Sequence, residues 1–175
     1  MKDGLKIAIS GKSGCGNSSV TSLVAEKLGF EMINFTFRQL AEEKGMDFKE
    51  ICEKSMTDFS YDRELDKRQV EMASGGNTVL GSRLAIWMLK DADLKVYLTA
   101  SSEERASRIF KREGGSFDDI LAFTKKRDKN DSKRYSTIYN IDNNDYNFAD
   151  LVICTDRLDQ FQVADIIKAA AETLK

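Results

Sequence analysis

The chain contains no histidine and no proline. Without histidine there is no imidazole base, no histidine-containing triad and no histidine-bound metal. Without proline, turns must rely on Gly, Asn, Asp and Ser. The three cysteines, Cys15, Cys52 and Cys154, are far apart and odd in number. They offer neither a disulfide framework nor metal-ligand spacing. No signal segment is seen and no apolar run approaches the roughly 18 residues of a membrane span, so the cytoplasm is the expected location and no membrane partner is expected. A net charge of -2 gives no general attraction to nucleic acid or anionic lipid. Chemistry must therefore come from Arg, Lys, Asp, Glu, hydroxyls and backbone amides.

What remains is ordinary in bulk and ordered in pattern. A length of 175 residues, 41% hydrophobic and 32% charged, suits one soluble domain over 1–175 with a full core. Short apolar runs at Lys6–Ser10, Phe30–Asn34, Asn77–Leu80, Leu94–Thr99 and Leu151–Cys154 read as strands. Between them, Val20, Leu23, Val24 and Leu28 recur at helical spacing and stop at Gly29. Residues 36–73 are helical in pattern, broken near Gly45–Asp47 and Thr57–Ser60. Arg83–Lys90 is a short helix, and Ser102–Arg112 a helix capped by Ser101 or Ser102. Phe117–Tyr139 is a charged helical stretch, continuous or interrupted. Gln160–Leu174 closes the chain, with Phe161, Ala164, Ile167, Ala170 and Ala171 on one side. Strands alternating with helices predict an α/β fold with a parallel sheet. Ligands then bind at the carboxyl ends of the strands. Residues 35–74 and 113–145 read as excursions from the core.

The stretch LKIAISGKSGCGNSS at 5–19 carries the strongest signal. It has the layout of a phosphate-binding loop: strand, glycine-rich turn, then helix. Gly11, Gly14 and Gly16 permit tight turning, so the amides of Gly11–Ser19 can face phosphate oxygens. The following helix adds its positive end. Ser18 stands where a magnesium-binding hydroxyl belongs. The motif's lysine is missing, and Asn17 occupies its position. Asn17 can donate a hydrogen bond but brings no charge, and Lys12 is either a substitute cation or a solvated loop lysine. A plain glycine-rich turn of a strand–helix unit is the competing reading. Cys15, inside the loop, is either a small residue that fits or a thiol whose pKa the helix amides lower.

Phosphoryl transfer between two anionic substrates needs cations from several elements. Arg38, Arg63, Arg68, Arg83, Arg105, Arg108, Arg112, Arg127, Lys133 and Arg134 are the supply. Arg83 stands out because it directly follows a buried strand. Ordinary surface charge is the alternative for each. The run DRELDKRQ, with Asp62 and Asp66 four residues apart, also reads as a self-paired helical face.

These residues resemble the cytidylate kinase family of nucleoside monophosphate kinases, over nearly the whole chain. FRQLAEEKGM is similar to the family's acceptor-side helix, and YDRELDKRQ to a D-x-x-I/L-D-x-R-Q run of its compact archaeal-type branch. GSRLAIWM is similar to that branch's G-R-L-x-x-W, DADLKVYLTASSEERASR to the fourth strand and helix, and RDKNDSKRY to the lid run R-D-x-x-D-x-x-R. The resemblance implies a five-stranded parallel P-loop NTPase fold of adenylate-kinase type, with an acceptor-binding excursion and a lid. It implies transfer of the terminal phosphoryl group of ATP, with Mg2+, to CMP or dCMP. Residues 11–19 would hold the donor, Ser18 the metal, and Arg38, Arg63 and Arg83 the acceptor. Asp131 would help hold the cytidine, and Arg127, Arg134 and Lys12 would act on the phosphates in transit. Partners would be small-molecule nucleotides, and the protein a monomer or homodimer. Gly81 and Ser82 stand where relatives commonly carry an acidic residue and a glycine. Two alternatives stay open: another acceptor such as UMP, and a nucleotide-binding regulator with little or no activity. Trp87 and Tyr61 are either core or walls of an acceptor-base pocket, and Tyr135 and Tyr139 either pack or stack on a base.

Overall fold

Ile7 and Ile9 alternate with Ala8 and Ser10 along the first strand, all fully buried. This two-residue period builds both faces of the core. The computed structural model describes residues 4–174. Strands β1 (Lys6–Gly11), β2 (Glu31–Ile33), β3 (Thr78–Gly81), β4 (Leu94–Thr99) and β5 (Leu151–Cys154) form one sheet. Its order is β2-β3-β1-β4-β5, and every pairing is parallel. The chain winds to one side of β1 and then returns to the other. That reversal opens a crevice beyond the carboxyl end of β1, where such sheets bind ligands.

Helices α1 (Asn17–Leu28) and α8 (Gln160–Thr173) cover one face. There Ile7, Ile9, Val96 and Leu98 meet Val20, Val24, Val163 and Ile167. On the other face Ala8, Leu80 and Tyr97 pack with Ala85, Ile86 and Leu89 around helix α5 (Ala85–Met88). Ser10 accepts a hydrogen bond from the Ile86 amide at 3.1 Å and so ties the end of β1 to α5. The first excursion folds as α2 (Phe37–Lys44), α3 (Phe48–Ser55) and α4 (Ser60–Ala73), with a small core of its own from Phe35, Leu40, Ala41 and Ile51. The breaks fall at the expected places. Gly45 ends α2 in the left-handed conformation, and Asp47 caps α3. Helix α6 (Ser102–Glu113), capped by Ser101, packs against α7 (Phe117–Tyr139).

One open reading of the sequence is decided by the structure, and two elements differ from it. Helix α7 runs uninterrupted from a Ser116 cap to Asn140 in the left-handed conformation. Its single polar-capped start and stop leave no internal break. Helix α5 is shorter than 83–90, because the Ser82 hydroxyl accepts from the Leu84 amide and holds Arg83 in a turn. Phe161 was placed on the apolar side of α8 but is 53% exposed; Val163 takes the core position. Among the described residues, no helix is long and apolar enough to cross a membrane.

Because Ile9 sits at the centre of the larger core, Ile9→Ala should lower unfolding free energy by about 2–5 kcal/mol. A urea titration checks this, with an unchanged m-value marking an intact fold.

Candidate active site

A cavity of about 1140 Å³ opens at the carboxyl ends of β1, β2 and β3. One wall is the loop Gly11–Ser19 and the start of α1. Opposite it lie residues 34–38, α3 and α4; Arg108 and Arg112 of α6 and residues 155–163 close one end. Arg127, Asp131, Arg134 and Tyr135 of α7 face the same space.

Packing shapes the loop. Gly14 and Gly16 have φ of 86° and 90°, and a Cβ on Gly14 would lie 2.9 Å from that of Arg105. A Cβ on Gly11 would lie 2.9 Å from the Leu98 carbonyl oxygen. Arg105 is only 3% exposed. It donates to the Ser13 carbonyl at 3.1 Å and forks onto Asp128 of α7 at 3.0 and 2.6 Å. Arg108 donates to the Gly14 carbonyl at 3.5 Å and to the Thr155 hydroxyl at 2.9 Å. These braces leave α1 with no side-chain cap and no acidic residue in its first turn. Its amides and dipole are therefore available to an anion.

The residue replacing the motif's lysine is held from behind. Asn17 Oδ1 accepts from the Thr21 hydroxyl at 3.3 Å, and among the described residues its Nδ2 has no hydrogen-bond partner. Thr21 also explains Gly81: a Cβ there would lie 2.4 Å from Thr21 Oγ1. No acidic side chain fits at that position. Lys12 lines the cavity, but its Nζ donates to Asn144 Oδ1 at 2.9 Å. Cys15 is buried, and burial pushes its thiol pKa up despite the nearby arginines. Of the two readings of Cys15, the small residue that fits the loop therefore holds over the thiol lowered by helix amides. Ser18 and Ser19 are exposed and line the cavity.

Cations converge from separate elements. Arg38 lies over the Phe48 ring at 4.6 Å. Arg83 is paired with Asp131 at 3.4 Å. Burial opposes its charge, but Tyr135 and Asp131 outweigh burial and raise its pKa. Burial, and then repulsion from Arg83, lower the pKa of Arg127. Among the described residues Arg127 makes no salt bridge, so two cations share one space in which only Arg83 is directly paired. Arg134 forks onto Asp62 at 3.0 and 2.5 Å and donates to the Ser55 carbonyl at 2.7 Å. The lid position is thereby tied to the first excursion. Arg63 is exposed and does not line the cavity.

Helix α4 is self-paired only on its outer side, where Lys67 and Arg68 reach Glu71 at 3.6 and 4.0 Å; the acids of DRELDKRQ turn elsewhere. Asp62, Asp66 and Gln69 face the cavity together. Asp66 accepts from the Tyr139 hydroxyl at 2.5 Å, and burial raises its pKa to about 6. Trp87 packs edge-on to Tyr97 at 5.9 Å, and Tyr61 joins the excursion's small core; neither lines the cavity. Tyr135 and Tyr139 pack against Arg83 and Asp66. The Arg105–Asp128 and Arg134–Asp62 pairs, 23 and 72 residues apart in sequence, were not legible beforehand.

The sheet order, loop and two excursions define a P-loop kinase fold. Solved structures share it: a shikimate kinase from Bacteroides thetaiotaomicron, 17% identical, superposes with TM-score 0.63 over 96% of both chains. A deoxyadenosine kinase from M. mycoides, 20% identical, gives 0.60 over 97% of this chain and all of that one. At the level of sequence, residues 6–157 match the model of the cytidylate kinase-like family, and the chain belongs to that family. Similar relatives include "Cytidylate kinase 2" of Borreliella afzelii, 49% identical over 94% of each chain. Another is the cytidylate kinase of Pyrococcus horikoshii, 40% identical over 99% of this chain and 91% of the other.

Two outcomes follow from this geometry. Asp128→Ala strands the buried Arg105 charge, so it should cost roughly 3–5 kcal/mol in a urea titration. Asp66 has a folded pKa of about 6 against 3.8 for the free carboxyl. Its contribution to stability is therefore complete below about pH 4 and is lost as pH rises through 6. Asp66→Asn removes that loss. Its melting temperature relative to the natural protein should rise from below pH 4 up to pH 7, by the equivalent of about 3 kcal/mol, and stay level above.

Proposed function

We propose that the protein transfers the terminal phosphoryl group of ATP to CMP or dCMP. The observation that carries this is the pair Arg83 and Arg127. They are like charges in one cavity, with Arg127 unneutralised, facing a phosphate-type loop. Such a place favours an anion passing between two bound nucleotides. The relatives named cytidylate kinase support the choice of reaction and acceptor.

In this reading the amides of Gly11–Ser19 and the start of α1 hold the donor phosphates, and Asn17 adds a neutral hydrogen bond. Arg38 and Arg83 hold the acceptor phosphate. Arg127 and Arg134 stabilise the charge in flight, and Arg134 must exchange Asp62 for phosphate to do so. Lys12 must likewise leave Asn144 to reach the donor. Closure of α7 over the cavity excludes water. No general base is required. Among the described residues no cluster of three acidic or thiol groups could hold a metal. The exposed hydroxyl of Ser18 fits a magnesium ion bound mainly through substrate phosphates. When bound, the ion supplies neutralisation of phosphate charge. The reading puts the protein in the cytoplasm, with its nucleotide substrates.

An acceptor panel tests the reaction. With ATP and Mg2+, ADP should form with CMP and dCMP well above the rate with AMP or GMP. ATP binding without ADP formation from any monophosphate would instead point to a regulator. Arg83→Ala and Arg134→Ala, assayed separately, should each lower kcat/KM by roughly a hundredfold or more. Natural turnover in both would remove these residues from the site.

A further inference from the structure

The acceptor side of the cavity carries a wall of hydrogen-bond acceptors that the phosphate chemistry does not use. Asp62, Asp66 and Gln69 sit at i, i+4 and i+7 of α4 and all face the cavity. Asp62 is committed to Arg134. Gln69 is buried, and its Nε2 donates to the Phe35 carbonyl at 2.6 Å. That bond fixes the amide and leaves Oε1 without a hydrogen-bond partner among the described residues. Asp66 Oδ2 takes the Tyr139 hydroxyl, and Oδ1 has no hydrogen bond. While Arg134 holds Asp62, the unused polar atoms of this wall among the described residues are Asp66 Oδ1 and Gln69 Oε1, both acceptors.

Their place relative to the phosphate site follows from α7. Tyr135 touches Arg83 and Tyr139 touches Asp66. The two tyrosines are four residues apart on one helix, about 6 Å along its axis. The acceptor wall thus lies one helical turn from the arginine proposed to hold the acceptor phosphate. Asp131, on which the family resemblance places the cytidine, is already engaged by Arg83.

Resting on the reading of the protein as a pyrimidine monophosphate kinase, we infer that Asp66, with Gln69 beside it, is the residue that selects cytosine by accepting from its exocyclic amine. Cytosine presents a donor at N4 where uracil presents the acceptor O4. A carboxylate and a fixed amide oxygen welcome the first. Against uracil they set acceptor on acceptor and leave a partly buried charge without a partner. Tyr139 holds the carboxylate in place by its second oxygen. It also keeps Asp66 from turning to Arg134, which Asp62 already occupies.

The test compares acceptors rather than rates alone. For the natural protein kcat/KM should favour CMP over UMP. Asp66→Asn offers both a donor and an acceptor and should reduce that preference by roughly 10- to 100-fold. Asp66→Ser, smaller and without a carboxylate, should do the same. A merely structural role for Asp66 would lower both acceptors together and leave their ratio unchanged, which would overturn the inference. A CMP analogue lacking the 4-amino group supplies a check on the unaltered protein. It should lose the same factor relative to CMP, and the loss should vanish in Asp66→Asn. An analogue as good as CMP, or a loss that persists in the variant, also overturns it. If the natural protein phosphorylates neither CMP nor UMP, the proposed reaction fails first and the inference fails with it.

Discussion

The buried guanidinium of Arg105 is the constraint on which the cavity's two sides depend. It reaches from α6 to the Ser13 carbonyl and to Asp128 of α7. A charge this deep is tolerated only when paired and hydrogen-bonded, and here both conditions are met by groups from different parts of the chain. Gly14 has to be glycine because the Arg105 stem passes where a Cβ would sit. The phosphate loop therefore takes its shape partly from a side chain more than ninety positions away. The same contact fixes where α7 begins its traverse of the cavity, and so where Arg127, Asp131 and Arg134 can stand.

Most of the other cations around the cavity are compensated before any ligand arrives. Asp131 faces Arg83, Asp62 faces Arg134, and Asn144 takes Lys12. Of Arg127 and Arg134, the two α7 arginines facing the cavity, Arg127 makes no salt bridge among the described residues, and burial, then repulsion from Arg83, depress its pKa. A phosphate entering this space gains from the unneutralised cation at once. The paired ones require exchange of one anion for another, which costs little when the outgoing carboxylate stays close. In the proposed reaction affinity and closure are thus separable: one arginine would attract, and others would rearrange.

Much of the fold was readable because its signals are local. Apolar runs of four to six residues, glycines after helices and serine caps marked the strands, the breaks at Gly45–Asp47 and the start of α6. The loop at 11–19 and Arg38, Arg83, Arg127 and Arg134 were also legible, and the structure brings all of them to one cavity. What escaped depends on distance in sequence. DRELDKRQ carries opposite charges at helical spacing, so self-pairing was the economical reading. Only the traverse of α7 turns Asp62 toward Arg134 and Asp66 toward Tyr139. Arg63, one residue from Asp62, points out of the cavity. The sequence leaves two readings of Cys15, and burial decides between them: a helix start lowers a thiol pKa only when burial does not outweigh it.

The two departures from the expected phosphate motif belong to one packing arrangement. Thr21 follows Asn17 by one helical turn, and its hydroxyl anchors the Asn17 carbonyl oxygen. The same side chain fills the space above Gly81 so closely that no Cβ can be added there. A lysine at 17 with an acid at 81 would need that space empty. A neutral amide at 17 with a glycine at 81 needs it filled. Read singly, the missing lysine and the missing acid are two losses from a charged site. Joined through Thr21, they are one packing arrangement, in which a threonine-oriented amide stands in the place of the motif's lysine and the cavity's cations are arginines from other elements.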